Sequence, residues 1–363
     1  MTELLNARRR MPRGRKLCLF ALAAAFVLLL AQIPALCETL FARGLTRLVS
    51  AAVAAVTGLF PVSLYEVCAV LLILGAAALA AGLIALLCRR RFARVRLWLQ
   101  RLALAALCVL IAFGVLYAPL YDRAPVEDAL GLPEVTATDE SVYEAALYFA
   151  DRLVAVSESL ERGEDGNVVP PYTFSEVGEL LNAQFDALGT SYFSSAAVRP
   201  KAVLLSVPMS YLGITGIYFP FTAEANVNVN IPPYQLPQTM AHEMAHAKGV
   251  SRENDANLVS YALCIRAEDA YLQYSGLMPA VAVLMNSLPD ELYAEVRARL
   301  TPEILREYAN ASAHYDRYEG LIDTISSFFN DLFLKANGVP QGTRSYSQTV
   351  SGLVALHRSM AQG

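Results

Sequence analysis

The sequence predicts three N-terminal transmembrane helices followed by a mostly helical α+β domain with a small sheet outside the membrane. Three observations support this fold class. The chain of 363 residues is 55% hydrophobic and only 17% charged, which is too apolar for an ordinary soluble protein. Its long apolar runs all lie before residue 122. Beyond them, helical periodicity is interrupted by a stretch in which polar and apolar residues alternate.

Three apolar runs predict a membrane anchor over residues 1–121. The predicted spans are residues 17–37, 64–88 and 99–121. Each has about 20 residues, enough to cross a hydrocarbon core of roughly 30 Å, and none shows the polar stripe of a buried soluble helix. We interpret the first run as an uncleaved anchor, because its apolar stretch exceeds the roughly 7–15 residues of a signal peptide.

Basic residues predict the orientation of these spans. The segment before the first span carries six Lys or Arg residues and the stretch from Arg89 to Arg101 between the second and third spans carries six more, whereas the first loop has only Arg43 and Arg47. Because basic loops stay in the cytoplasm, residues 122–363 are predicted to lie outside it. That outer part has 15 Lys and Arg against 30 Asp and Glu, and this acidic balance argues against a nucleic-acid partner.

The regions around the spans show further patterns. Residues 38–66 have apolar residues at helical spacing, and we expect an amphipathic helix on the outer membrane surface. Residues 122–138, rich in Pro and acidic residues, predict a linker before an outer domain over residues 139–363. In that domain, polar and apolar residues alternate from 224 to 230, which predicts a strand with one wet and one buried face. Its single cysteine, Cys264, excludes an internal disulfide there.

The stretch AHEMAH carries the candidate active site. Two of the four histidines of the chain, His242 and His246, lie four residues apart, so on a helix both can direct a ring nitrogen to one metal ion. Glu243 lies beside them and is predicted to act as general base rather than as ligand. This is the HExxH pattern, in which zinc activates water for hydrolysis. The alternative interpretation is two histidines hydrogen-bonded in a helical core.

A zinc site with an open position needs a third protein ligand, and here the candidates are acidic. Arg252 occupies the position of the third metzincin histidine. Gly249 can end the first helix and Ser251 can cap the next, so that the second helix folds back toward the histidines. The acidic candidates are Glu253, Asp255, Glu268 and Asp269.

Glu253 would lie in the first turn of that second helix, where it could also act simply as a capping carboxylate. Asn257 shares its face and could orient the Glu253 carboxylate. The stretch ENDAN resembles the glutamate-x-x-alanine-aspartate or -asparagine element of gluzincin-type peptidases. The resemblance implies Glu253 as zinc ligand and Asn257 as supporting residue, with Asp255 as the alternative ligand. The spacing departs from that pattern, because only six residues separate His246 from Glu253.

A wider resemblance covers nearly the whole chain. Three spans are followed by GITGIYFPFTAEANVN, AHEMAHAKGVSRENDAN and FLKANGVPQGTRSYSQTVSGLVALHR. This order resembles the domain-of-unknown-function 3810 family of bacterial membrane proteins. The resemblance implies a zincin-like, metallopeptidase-type domain and supplies no substrate.

Two further features of a peptidase site have candidates. The segment TAEANVNVN is predicted either to pair with extended substrate or to be an ordinary sheet strand. An oxyanion donor is also needed. We predict that Tyr346 has this role, because its loop precedes the final helix and belongs to a segment that resembles the family. The other candidates are His314, Tyr315, Tyr318 and Arg344.

These patterns predict a membrane-anchored zinc metallopeptidase that hydrolyses peptide or amide bonds outside the cytoplasm. Zn²⁺ would be held by His242, His246 and Glu253, with Glu243 as general base. The expected partners are the lipid bilayer and a peptide or protein substrate. The alternative is a non-catalytic, zinc-containing binding or sensor module of the envelope. An intramembrane protease is disfavoured, because the histidine motif lies far beyond the last span in a polar domain.

Overall fold

The computed structural model describes residues 13–31, 33–320, 324, 326–327 and 346–361, and this part of the chain is mostly helical. The first helices are α1 (Arg13–Ala31), α2 (Pro34–Leu36), α3 (Thr46–Thr57), α4 (Leu64–Cys88) and α5 (Phe92–Leu116). A π-helical stretch, Cys37–Leu45, leads into α3, and a 3₁₀ turn, Ala118–Asp122, follows α5.

The remaining elements surround a small sheet. The helices before and within the sheet region are α6 (Val126–Ala129), α7 (Asp139–Ser157), α8 (Phe174–Ala187) and α9 (Ser206–Tyr211). The strands are β1 (Lys201–Val203), β2 (Gly216–Phe219) and β3 (Glu224–Asn228). The helices after the sheet are α10 (Leu236–Ala247), α11 (Glu253–Arg266), α12 (Ala270–Met285), α13 (Asp290–Arg297), α14 (Pro302–Tyr315) and α15 (Tyr346–Ala361).

The chain divides into two compact units. The first comprises Met1–Thr46 and Val67–Arg123, and the second comprises Arg47–Glu66 and Ala124–Gly363. In the first unit α1 packs against α5. In the second unit the core is formed mainly by α7, α11 and α12. The predicted linker takes part in this core, because Val126 in α6 is completely buried and Leu130 and Leu132 after it are also core residues.

Three described helices are long and apolar enough to cross a membrane. They are Cys37–Thr57, Leu64–Cys88 and Phe92–Asp122. The second and third coincide with the predicted spans at 64–88 and 99–121, so the expectation of a membrane protein is supported. The predicted span at 17–37 falls on α1, which ends at Ala31. Cys37–Thr57 lies where a surface helix was predicted, and its helical backbone is broken at Gly44.

The sheet is mixed and has the order β1-β3-β2. β1 runs parallel to β3, with Lys201 opposite Asn226, and β2 runs antiparallel to it, with Gly216 opposite Val227. Ala225 and Val227 belong to one face of β3 and lie in the hydrophobic core. Helix α10 packs on β2 and β3 and carries the histidine motif.

The prediction that β3 has one wet face is wrong. All five residues of β3 are buried. The polar face is covered by the segment that leads into α4. The Glu224 carboxylate accepts hydrogen bonds from the backbone amides of Leu64 (3.2 Å) and Tyr65 (2.9 Å), and the Ser63 hydroxyl donates to the Asn226 side chain (2.7 Å). β3 does have a polar and an apolar face, but the polar face is paired with protein instead of water.

Candidate metal centre

Helix α10 places the two histidines on one side of a buried helix. Pro237 fits the first turn, where its missing N–H needs no partner. Met240 and Met244 are fully buried and fix the helix against the core. His242 and His246, one turn apart, therefore project together toward the next helix, and their ring centroids are 4.7 Å apart.

A tight turn after α10 returns the chain to the histidines. Gly249 has a positive φ of 103°, a conformation that side chains with a Cβ rarely adopt. The amide of Val250 bonds back to the Ala245 carbonyl at 3.1 Å. Helix α11 then begins at Glu253. Ser251, predicted as its cap, does not have that role, because Arg252 occupies the cap position and makes no side-chain cap hydrogen bond.

Glu253 meets both histidines. The distances are 3.2 Å from His242 Nε2 to Glu253 Oε2, 3.6 Å from His246 Nε2 to Glu253 Oε1, and 3.1 Å between the two Nε2 atoms. In a tetrahedral zinc site with bonds of about 2.0–2.2 Å, neighbouring ligand atoms are about 3.3–3.5 Å apart. The three side chains thus fit one zinc ion without rearrangement of the backbone. Among the described residues, they are the group of side chains that could hold a metal ion.

The hydrogen bond made by His246 fixes which of its nitrogens can bind metal. His246 Nδ1 lies 2.6 Å from the Val250 carbonyl oxygen, so Nδ1 carries the proton and donates it. Nε2 therefore faces His242 and Glu253 and is the nitrogen that a metal could bind, as in zinc-binding histidines whose other nitrogen is held by a carbonyl. Burial alone would lower the pKa of His246, but the Glu253 carboxylate raises it to about 9. The site thus attracts positive charge.

The Glu243 side chain is buried beside the three candidate ligands. It is 4% exposed, and its Oε2 atom has no hydrogen-bond partner in the described part of the chain. Burial raises the pKa of its carboxyl, opposed by the neighbouring imidazoles. The backbone of Tyr218 in β2 hydrogen-bonds to this carboxyl. An orphaned buried carboxylate oxygen costs free energy, so its position needs an explanation, and a catalytic role is one.

Gly216 is what allows Glu243 to occupy this position. A Cβ added at Gly216 would lie 2.5 Å from Glu243 Oε1, closer than real Cβ contacts permit. Sequence reasoning missed this residue and also missed Tyr218, whose ring stacks on His246 with centroids 6.5 Å apart. The available signal was the glycine that opens the β-rich stretch GIYF, since a glycine in a strand often marks close approach of another group.

The other acidic candidates lie elsewhere. Asp255 is held by Arg252, whose guanidinium donates to it at 2.6 Å. Asp269 caps α12 and accepts a hydrogen bond from the Tyr172 hydroxyl. Glu268 is exposed. Asn257 lies one turn beyond Glu253 on α11, and no hydrogen bond joins the two side chains within the described residues.

Three candidates for an oxyanion donor contact the segment that immediately precedes α10. His314 and Tyr318 contact Asn230 through its carbonyl (3.0 Å) and its side-chain amide (2.9 Å). The Tyr315 hydroxyl donates to the Gln235 side chain. Tyr346 is the first residue of α15, but its side chain lies outside the described residues, as does Arg344. The role of Tyr346 stays a prediction.

Comparison with known proteins places the chain in a family. No curated protein and no solved structure matches it. A family model described as "Protein of unknown function (DUF3810)" matches residues 41–354. This match covers most of the chain and includes the sheet, α10 and α11. The chain therefore belongs to the domain-of-unknown-function 3810 family.

Proposed function

We propose that the protein is a membrane-anchored, zinc-dependent hydrolase of peptide or amide bonds. One observation carries this proposal. Two imidazole nitrogens and a carboxylate converge at tetrahedral spacing, and beside them lies a buried carboxylate, Glu243, that is not a member of the ligand group. Three protein ligands leave a fourth position open, which is the arrangement of catalytic rather than structural zinc sites.

The roles of the residues follow from their contacts. His242, His246 and Glu253 would hold the ion, and the Val250 carbonyl would keep His246 Nε2 directed at it. When bound, zinc supplies a Lewis acid that polarises the scissile carbonyl and lowers the pKa of water. Glu243 would take the proton from that water and pass it to the leaving amine. Its raised pKa suits a group that must both accept and release a proton.

The edge strand offers a place for an extended substrate. The segment TAEANVNVN, predicted for this role, contains β3, which is the central strand and is paired on both sides. β2 is at the edge of the sheet and contacts Glu243 through Gly216. A peptide that adds to β2 by backbone hydrogen bonds would pass the buried carboxylate. We therefore assign substrate pairing to β2.

We further propose that this domain faces the outside of the cytoplasm, as the distribution of basic residues predicts. In this topology α1, α4 and α5 cross the bilayer, and α3 stays at its surface. The contacts of α3 support this arrangement. The Arg47 guanidinium donates to the Ser191 and Tyr192 carbonyls (3.0 and 2.7 Å), which ties the start of the helix to the rest of the second unit.

The test compares three variants of the full-length protein in metal content and in cleavage of a peptide pool. Glu243→Gln should keep zinc and lose about 10²–10⁴ in rate, because the base is removed and the ligands are not. Glu253→Ala should lose zinc and activity together. Asp255→Ala, the matched control, should keep its zinc. If Glu243→Gln cleaves at the wild-type rate, the hydrolase proposal fails, and a non-catalytic zinc module of the envelope replaces it.

A further inference from the structure

We propose that the second unit docks on the surface of the lipid bilayer, and that its substrates are membrane-anchored polypeptides cut close to the membrane. The docking surface is the apolar rim, defined as the exposed apolar side chains of residues 48–62 and 204–212. The substrate half of this inference rests on the proposed hydrolase function, whereas the docking half does not.

The apolar rim stands out from the rest of the unit. Leu59 is 75% exposed and Leu204 is 81% exposed. Outside the rim, Val169 and Val229 are the exposed large apolar side chains among the described residues of this unit. Such a concentration on an otherwise acidic domain indicates an interaction surface rather than ordinary surface.

Helix α3 has two opposite faces. One face, with Arg47 and Ser50, is tied to the second unit through the Ser191 and Tyr192 carbonyls and the Tyr218 hydroxyl. The other face is an open apolar groove, lined by Leu48, Val49, Ala52, Val53, Val56 and Thr57. A helix with one face held by protein and one apolar face open is typical of elements that lie in the membrane interface.

Contacts between the apolar rim and the start of α4 indicate that lipid covers the rim. The Glu66 carboxylate accepts hydrogen bonds from the backbone amides of Leu204 (3.0 Å) and Leu205 (2.7 Å). Glu66 lies in the first turn of α4, and the apolar run of the candidate span continues from Val67. The ammonium of Lys201, in the strand just before residues 204–212, donates to the Phe60 carbonyl and so holds the two parts of the rim near each other. The rim therefore adjoins the residues at which this candidate span begins.

The candidate metal centre is close to the same boundary. Gly216, against Glu243, and Phe219, whose ring packs on Tyr65 at a centroid distance of 5.2 Å, are the two ends of β2. Three residue steps in a strand span about 10 Å. Adding the side-chain contacts at the two ends of β2 to this length places Glu243 within roughly 20 Å of the first turn of α4. About six extended residues cover that distance. A polypeptide anchored in the same membrane can therefore reach the site through its membrane-proximal segment.

Tryptophan fluorescence of the full-length protein in phospholipid vesicles tests the docking half. The only native tryptophan, Trp98, is replaced by Phe, and Leu204→Trp or Leu59→Trp then reports on the rim. Val169→Trp, also on an exposed residue, is the matched control. Phospholipids brominated on the upper acyl chain should quench most of the rim fluorescence, and iodide should quench little of it. The control should show the reverse. Docking is overturned if iodide reaches both rim positions as readily as the control, or if brominated lipid quenches neither.

The substrate half is tested with one peptide sequence in two forms. One form is soluble, and the other carries a membrane-spanning anchor next to the cleavable segment. The wild-type protein in vesicles should cleave the anchored form faster, and the advantage should disappear when a long flexible spacer separates segment and anchor. Equal rates for both forms would refute a membrane-proximal substrate. If neither form is cleaved, the hydrolase proposal itself fails, while the quenching result still decides whether the unit docks on lipid.

Discussion

At the scale of single residues, the proposed site depends on how Glu243 is kept buried beside the ligands. The carboxyl is enclosed by β2, and its Oε2 atom has no partner in the described part of the chain. The absent side chain of Gly216 provides the space. The position of the Glu243 carboxyl therefore affects its protonation. Burial raises its pKa, and the missing side chain of Gly216 makes that burial possible.

Replacing Gly216 should therefore impair hydrolysis without removing the metal. In Gly216→Ala the new Cβ would displace the Glu243 carboxylate, and we expect a loss approaching that of a missing general base, about 10²-fold. Zinc content should be unchanged. Gly320→Ala is the control, because no described residue lies within 4 Å of a Cβ added there. Hydrolysis by Gly216→Ala at the wild-type rate would show that the position of Glu243 does not matter.

Some of these residues could be predicted from the sequence, and others could not. The convergence of His242, His246 and Glu253 could be predicted because it depends on local geometry, one helical turn and one tight turn. Gly216 could not be assigned a function, because it meets Glu243 only through the packing of α10 on the sheet. Val250 acts through its backbone carbonyl, and the identity of a side chain gives no sign of that.

At the scale of elements, local patterns predicted the helices and left the contacts of the strand open. The apolar run at 64–88 has the same limits as α4. The alternation at 224–230 showed that β3 has two different faces but not what covers them. The Ser63 hydroxyl, which bonds to Asn226, lies 163 residues away in the chain. A polar face matched by distant polar groups has the same sequence pattern as a face exposed to water.

A buried ion pair joins three elements of the second unit. The Glu307 carboxylate on α14 accepts hydrogen bonds from Arg162 (2.7 Å), the Tyr274 hydroxyl on α12 (2.6 Å) and the Val168 amide (2.9 Å). Glu307→Ala should lower the free energy of unfolding by about 3–5 kcal/mol, because it leaves the Arg162 charge uncompensated. The midpoint of thermal unfolding measures this. Alanine at the exposed Glu319 should have little effect, and an equal midpoint in both variants would rule out a stabilising role for Glu307.

At the scale of the whole molecule, the side of the membrane on which the site lies depends on the number of spans. Crossing by α1, α4 and α5 places the N-terminus and the second unit on opposite sides. An additional crossing by Cys37–Thr57, which is long and apolar enough, would place them on the same side. The ties of Arg47 to the second unit and the basic N-terminal segment favour three crossings.

Reporter fusions test this topology. A reporter attached after Gly363 should be active only outside the cytoplasm, and one inserted near Ala93, at the basic start of α5, only inside. Activity of the Gly363 fusion in the cytoplasm would exclude the three-span arrangement and move the candidate site to the inner side.

The zinc content of the purified full-length protein tests the central claim most directly. Protein prepared without chelators should contain about one zinc per chain, because two imidazoles and a carboxylate match the preferences of this ion. His246→Ala should lose the metal, since it removes a ligand, whereas His314→Ala should keep it, since His314 contacts Asn230 instead. Wild-type protein without zinc, or His246→Ala with full zinc occupancy, would contradict a metal centre formed by His242, His246 and Glu253.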